Sequence, residues 1–101
     1  MKAKRVLLKD VLKRELKDPE FSFYFRREQA ISEIARLVRD ARLRAGLTQA
    51  QLAKKAQSSQ VVIARLESGT DQRVPSLDLL ERIANALKAK LLVRFEYKRV
   101  A

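Results

Sequence analysis

The segment TQAQLAKKAQSSQVVIARLESG, residues 48–69, constrains the fold of this chain more than any other. It spells two short helices separated by Gln57-Ser58-Ser59-Gln60, a polar break that holds neither glycine nor proline. Thr48-Gln49-Ala50-Gln51 is a capping box, in which Gln51 reaches back to the Thr48 backbone. The helix it opens turns Leu52, Ala53 and Ala56 inward. Ser58 or Ser59 then caps a second helix, whose Ile63 and Leu66 point to the core. The second helix thus starts with small polar side chains at its positive end. Free N–H groups there can meet an anion, and only short side chains let that end come close to one.

The flanking segments supply partners for this pair. Ile31, Ile34, Ala35, Leu37, Val38 and Ala41 form an apolar stripe that predicts a long helix ending at Gly46 and starting anywhere between Phe21 and Gln29. Pro75-Ser76 opens a last helix with Leu77, Leu80, Ile83, Ala84 and Leu87 on one face. Upstream, Val6, Leu7, Val11, Leu12 and Leu16 have near-helical spacing that stops at Asp18-Pro19, because the residue before proline avoids the helical region. EFSFYF, residues 20–25, holds four of the six aromatic residues and fits either a strand or the first turn of the long helix. KLLVRFEYKRV, residues 90–100, changes period: Leu91, Val93, Phe95 and Tyr97 alternate with Leu92, Arg94, Glu96 and Lys98, as in a strand. One strand cannot satisfy its own backbone. Pairing with a second copy through Leu91, Leu92, Val93, Phe95 and Tyr97 is therefore expected, giving a homodimer.

Composition narrows the function. The chain has no cysteine and no histidine. Disulfides, thiolate metal sites and the commonest general base are excluded. No convergent carboxylate pair takes their place, so neither an enzyme nor a metal or cofactor site is expected; a ribonuclease remains the contrasting reading. The net charge of +11, from 23 basic and 12 acidic residues, favours a polyanionic partner, nucleic acid first. No apolar run approaches the ~18 residues of a membrane span. MKAKRVLLKDVL begins like a signal peptide, but charges interrupt it at once, so a cytoplasmic protein without membrane contact is expected.

Two short helices with a tight polar turn match the helix-turn-helix arrangement. A generic helical hairpin would call for no particular side chains on its exposed face. Here that face carries Gln60, Val61 and Arg65 beside Ser59, and Gln and Arg pair bidentately with adenine and guanine edges.

Thr48-Gln49, Leu52-Ala53, Ser59-Gln60, Ile63 and Leu66-Glu67-Ser68-Gly69 resemble the Cro/C1 (Xre) family of phage repressors and bacterial regulators. The resemblance covers roughly residues 31–87. It implies a mainly α fold: a lambda-repressor-like five-helix domain, here with an N-terminal helical extension and a C-terminal β-strand. The expected organisation is an extension over 1–30, the DNA-binding domain over 31–89 and a dimerisation strand over 90–101. Gln57 departs from the family, which usually has a glycine there in a left-handed turn; a non-glycine costs on the order of 1 kcal/mol. By matched position, Ser59, Gln60, Val61 and Arg65 resemble base readers. Gln49, Ser58, Ser68 and Arg73 resemble phosphate contacts, and Arg42 with Glu67 resembles a structural ion pair. The stretches LKDVLKREL and PSLDLLERIANALKAKLLVRFE are similar to HigA-type antitoxins. That likeness implies a HigB-type toxin partner, a ribonuclease of the RelE superfamily, with the antitoxin dimer neutralising it and binding double-stranded operator DNA of the shared operon. Candidate toxin contacts are Val11, Leu12, Glu15, Leu16, Phe21, Phe23 and Tyr24. The alternative is an Xre-family repressor with no toxin partner, whose extra N-terminal segment only packs on the core.

Overall fold

The computed structural model describes residues 17–70 and 73–97. Four helices occupy them: α1 Pro19–Arg44, α2 Gln49–Lys55, α3 Gln60–Ser68 and α4 Leu77–Ala86. Val11, Leu12, Glu15 and Leu16 lie outside the described residues, as does the expected helical pattern around them.

Asp18 sits in extended backbone before Pro19, and its carboxylate accepts from the amides of Glu20 at 2.9 Å and Phe21 at 3.4 Å. This N-cap starts α1 well before its first core residue. With no glycine or proline between Glu20 and Ala45, nothing stops it for 26 residues, about 39 Å of rise. EFSFYF is therefore helix, and the boundary expected at residue 30 falls inside an unbroken element. Thr48, Ser59 and Ser76 cap α2, α3 and α4, each side chain accepting from the third amide of its helix. The capping box closes in both directions, at 3.1 Å and 2.9 Å.

The core gathers where the helices cross. Val38 of α1, Leu52 and Ala53 of α2 with Ala56 at its C-cap, Ile63 and Leu66 of α3 and Ile83 of α4 form one buried cluster. Leu52 and Ile63 are wholly buried, each worth about 1.5–3 kcal/mol in removal from water. Ala53 keeps α2 and α3 close because it adds little volume between them. Ile31 and Ala35 extend the buried face of α1. Two expected core residues do not belong to it: Leu37 is 61% exposed and Leu77 62%. Leu37 sits on the flank of α1, about a quarter-turn or more from the buried stripe at 100° per residue. Leu77 is the first residue of α4, beyond the crossing.

Two further expectations are corrected. The described residues hold four helices, not five. They also hold no strand: residues 91–97 lack regular structure, because within a single chain they have no second backbone to pair with. Leu92, Val93, Phe95 and Tyr97 are exposed there, and Leu91 is half-buried.

Candidate nucleic-acid interface

The α2–α3 turn sets the site. Gln57 takes a left-handed conformation at φ 55°. Its amide donates to Lys54 O at 3.2 Å, and the Ser58 amide donates to Ala53 O at 2.8 Å. These paired bonds end α2 in the way a C-terminal glycine usually does. The departure from glycine noted in the sequence is thus a real left-handed non-glycine residue. Ser59 Oγ accepts from the Val62 amide at 3.2 Å, so its own O–H is left to donate outward. Gln60, Val61 and Arg65 are exposed on the side of α3 turned away from buried Ile63 and Leu66. The four expected base readers therefore share one accessible face.

An ion pair fixes the far end of α3. Arg42 donates from Nε to Glu67 Oε2 at 2.7 Å and from Nη2 to Oε1 at 2.9 Å, a bidentate pair. Its Nη1 donates to Leu47 O at 2.7 Å. Only 11% of the Arg42 side chain and 3% of that of Glu67 remain exposed. The hydrogen bonds to Glu67 raise the Arg42 pKa, outweighing desolvation, so the guanidinium stays charged. The expected ion pair is formed, and it ties the end of α1 to the end of α3.

The expected phosphate contacts divide. The Gln49 amide donates to Glu67 Oε1 at 3.2 Å, which orients the side chain and leaves its second N–H to point elsewhere. Ser58 is half-buried beside the turn. Ser68 Oγ donates to Arg65 O at 2.7 Å and lies 3.1 Å from Thr70 Oγ1, so its hydroxyl serves the end of α3. Arg73 is exposed and, with Arg65, borders a cavity of about 170 Å³ walled by Ile31, Leu66, Val74 and Leu79. The loop after α3 thus brings Arg73 to the same cavity that Arg65 of α3 lines.

Sequence reading missed two features. Arg36 and Arg39 of α1 line a groove with Ser68 and Thr70, adding two cations beside the end of α3. Between apolar stripe positions they look like any solvated residue. Arg82 of α4 donates from Nη1 to Gln57 O at 2.7 Å and, at longer range, to Ala56 O at 3.4 Å. No spacing rule links residues so far apart in sequence.

Among the aromatic residues of α1, Phe23 and Tyr24 are exposed and meet edge to face at 5.8 Å, while Phe21 and Phe25 stack at 6.2 Å. Among the described residues no group of His, Cys, Asp or Glu could hold a metal ion, and no helix is long and apolar enough to cross a membrane.

Two short helices locked at a fixed angle, with a polar and basic face on the second, define a DNA-binding module of regulatory type. Residues 38–93 match the family model described as helix-turn-helix, and the chain belongs to that family, of the Xre/Cro-C1 type. Domains of this family are DNA-binding and regulatory. No curated protein and no solved structure matches the chain at a significant level.

Proposed function

We propose that the protein reads a specific operator as a homodimer and acts as a HigA-type antitoxin, repressing its own operon and neutralising a RelE-like ribonuclease. The observation that carries the DNA part is the exposed face of Gln60, Val61 and Arg65 on α3, behind the Ser59 cap. Gln60 and Arg65 can each make two hydrogen bonds to one base edge, and Val61 offers an apolar surface to a thymine methyl group. Gln49 and Arg73, with Arg36 and Arg39, supply backbone contacts that set register without reading sequence.

The antitoxin part rests on the resemblance to HigA-type chains and on Phe23 and Tyr24. These stand exposed on the half of α1 that precedes its buried residues. Aromatic side chains outside a sufficient core suit a docking surface, because such anchors dominate interface energetics.

The test of DNA reading is selection of a duplex from a randomised library, followed by titration at matched salt. Arg65→Ala should lose roughly 1–3 kcal/mol of affinity and relax preference at one base position. Gln49→Ala should weaken all duplexes alike. Wild-type affinity for Arg65→Ala would show the reading face to be wrongly assigned.

A further inference from the structure

We propose that Arg82 is a positioning residue for DNA reading: it clamps the left-handed α2–α3 turn at Gln57 and thereby fixes the approach angle of α3. The proposal rests on α3 being the DNA-facing helix, as argued above.

Left-handed backbone disfavours any residue with a Cβ, and glycine escapes that cost. Gln57 holds φ 55° without that freedom. Lys88 holds φ 56° in a turn with the same paired bonds, so those bonds carry part of the cost, and a contact from outside the turn can offset more of it. The last carbonyls of a helix have no donors within the helix. At the end of α2, the amides of Gln57 and Ser58 satisfy Lys54 O and Ala53 O. Beyond Lys55, the oxygens of Ala56 and Gln57 receive Arg82 Nη1 from α4, with the shorter bond of 2.7 Å on Gln57 itself. A cation at that point also meets the negative end of α2.

The other possible hold on Arg82 is weak. Its Nε lies 3.1 Å from Asp78 Oδ2 but is not aligned as a hydrogen-bond donor, and the Asp78 side chain is 79% exposed, so the attraction is screened. The directed bonds of the guanidinium go to the turn. Arg82 is in turn well anchored, because its neighbour Ile83 is buried in the core cluster. A continuous series of contacts therefore runs from the core through α4 and Arg82 to the residue that sets where α3 begins. Arg82 does for this chain what glycine does elsewhere in the family: it makes the left-handed turn dependable.

The test is a double-mutant cycle of Arg82→Met and Gln57→Gly in the full chain. Met keeps the apolar stem and removes the donors. Binding is measured to the duplex that wild type selects from a randomised library, and to a scrambled duplex of equal composition. Arg82→Met should lose about tenfold on the selected duplex and stay within about twofold on the scrambled one. In the Gln57→Gly background the same change should cost no more than about twofold, because glycine needs no clamp. Arg82→Lys, which keeps the charge and can reach one carbonyl, should recover most of the loss. Equal losses in both backgrounds would overturn the proposal. So would equal losses on both duplexes with a shallower salt dependence, which would make Arg82 a phosphate contact.

Hydrogen exchange at the Ser58 amide reads the clamp without DNA. Arg82→Met should speed it, and adding Gln57→Gly should slow it again, even if wild type selects no duplex and the DNA reading itself fails. Unchanged Ser58 exchange in Arg82→Met would also overturn the proposal.

Discussion

Glu67 accepts from both Arg42 and Gln49 while almost wholly enclosed. Its worth lies less in net attraction than in what its removal leaves behind. Glu67→Ala would strand the Arg42 guanidinium with Leu47 O as its remaining partner, and an unpaired buried charge is costly. A loss of about 3 kcal/mol is expected, the lower end of the usual range because one edge of Arg42 still reaches water. Urea unfolding checks it: the midpoint should fall with little change in slope. Glu67→Gln keeps an acceptor and should lose less. The raised Arg42 pKa sets the pH dependence of this contribution. A cation whose folded pKa lies above its unfolded value contributes fully below the unfolded value and loses that contribution only as pH rises through the folded one. For a guanidinium that window lies in strong alkali, so deprotonation of Arg42 should not change stability across the neutral range. This pair was legible in the sequence only by matched position. Residues 25 apart carry no local signal of contact.

The starts of α2, α3 and α4 were legible because capping is local chemistry: the Thr48 box and the serines at 59 and 76 all act within a few residues. The start of α1 was not: it was expected between Phe21 and Gln29, whereas the Asp18 cap opens it at Pro19. The ends of α2 and α4 were harder, since Gln57 and Lys88 take left-handed turns that sequence habit reserves for glycine. EFSFYF was ambiguous because Phe21, Phe23 and Phe25 alternate as a strand would. What decides for helix is the N-cap before them and the lack of any breaker after them. The outcome is an α1 whose first half stands beyond its buried residues Ile31, Ala35 and Val38. That half is where the proposed toxin contact lies, and its removal should be separable from folding. A chain starting at Glu28 keeps every described core residue. It should unfold within a few degrees of full length and bind the selected duplex equally well, yet fail to capture the product of a neighbouring RelE-like gene. Equal capture by both chains would sink the docking assignment while leaving DNA reading intact.

At the scale of the whole molecule, residues 91–97 pose the largest open need. Leu92, Val93, Phe95 and Tyr97 are 73–93% exposed, and their backbone has no strand partner in one chain. The ion pair there, Arg94 to Glu96 at 3.3 Å, joins two groups each 84% exposed and holds little. Pairing these residues with their copies about a two-fold axis would satisfy the backbone of both edges and cover the apolar side chains together. It would also give the dimer a palindromic site, with half-sites about one helical turn, roughly 34 Å, apart. Joining two half-site readers makes the second contact intramolecular and commonly gains 10²–10⁴ in affinity. Deleting residues 91–101 should therefore yield monomers in sedimentation and lower affinity for the selected duplex by about a hundredfold or more, while the helical core melts nearly as before. A truncated chain that still sediments as a dimer would move the interface to α4, where Leu77 is exposed. Substituting Phe95 and Tyr97 together by serine separates the two: it should weaken the dimer only if the C-terminal residues form it.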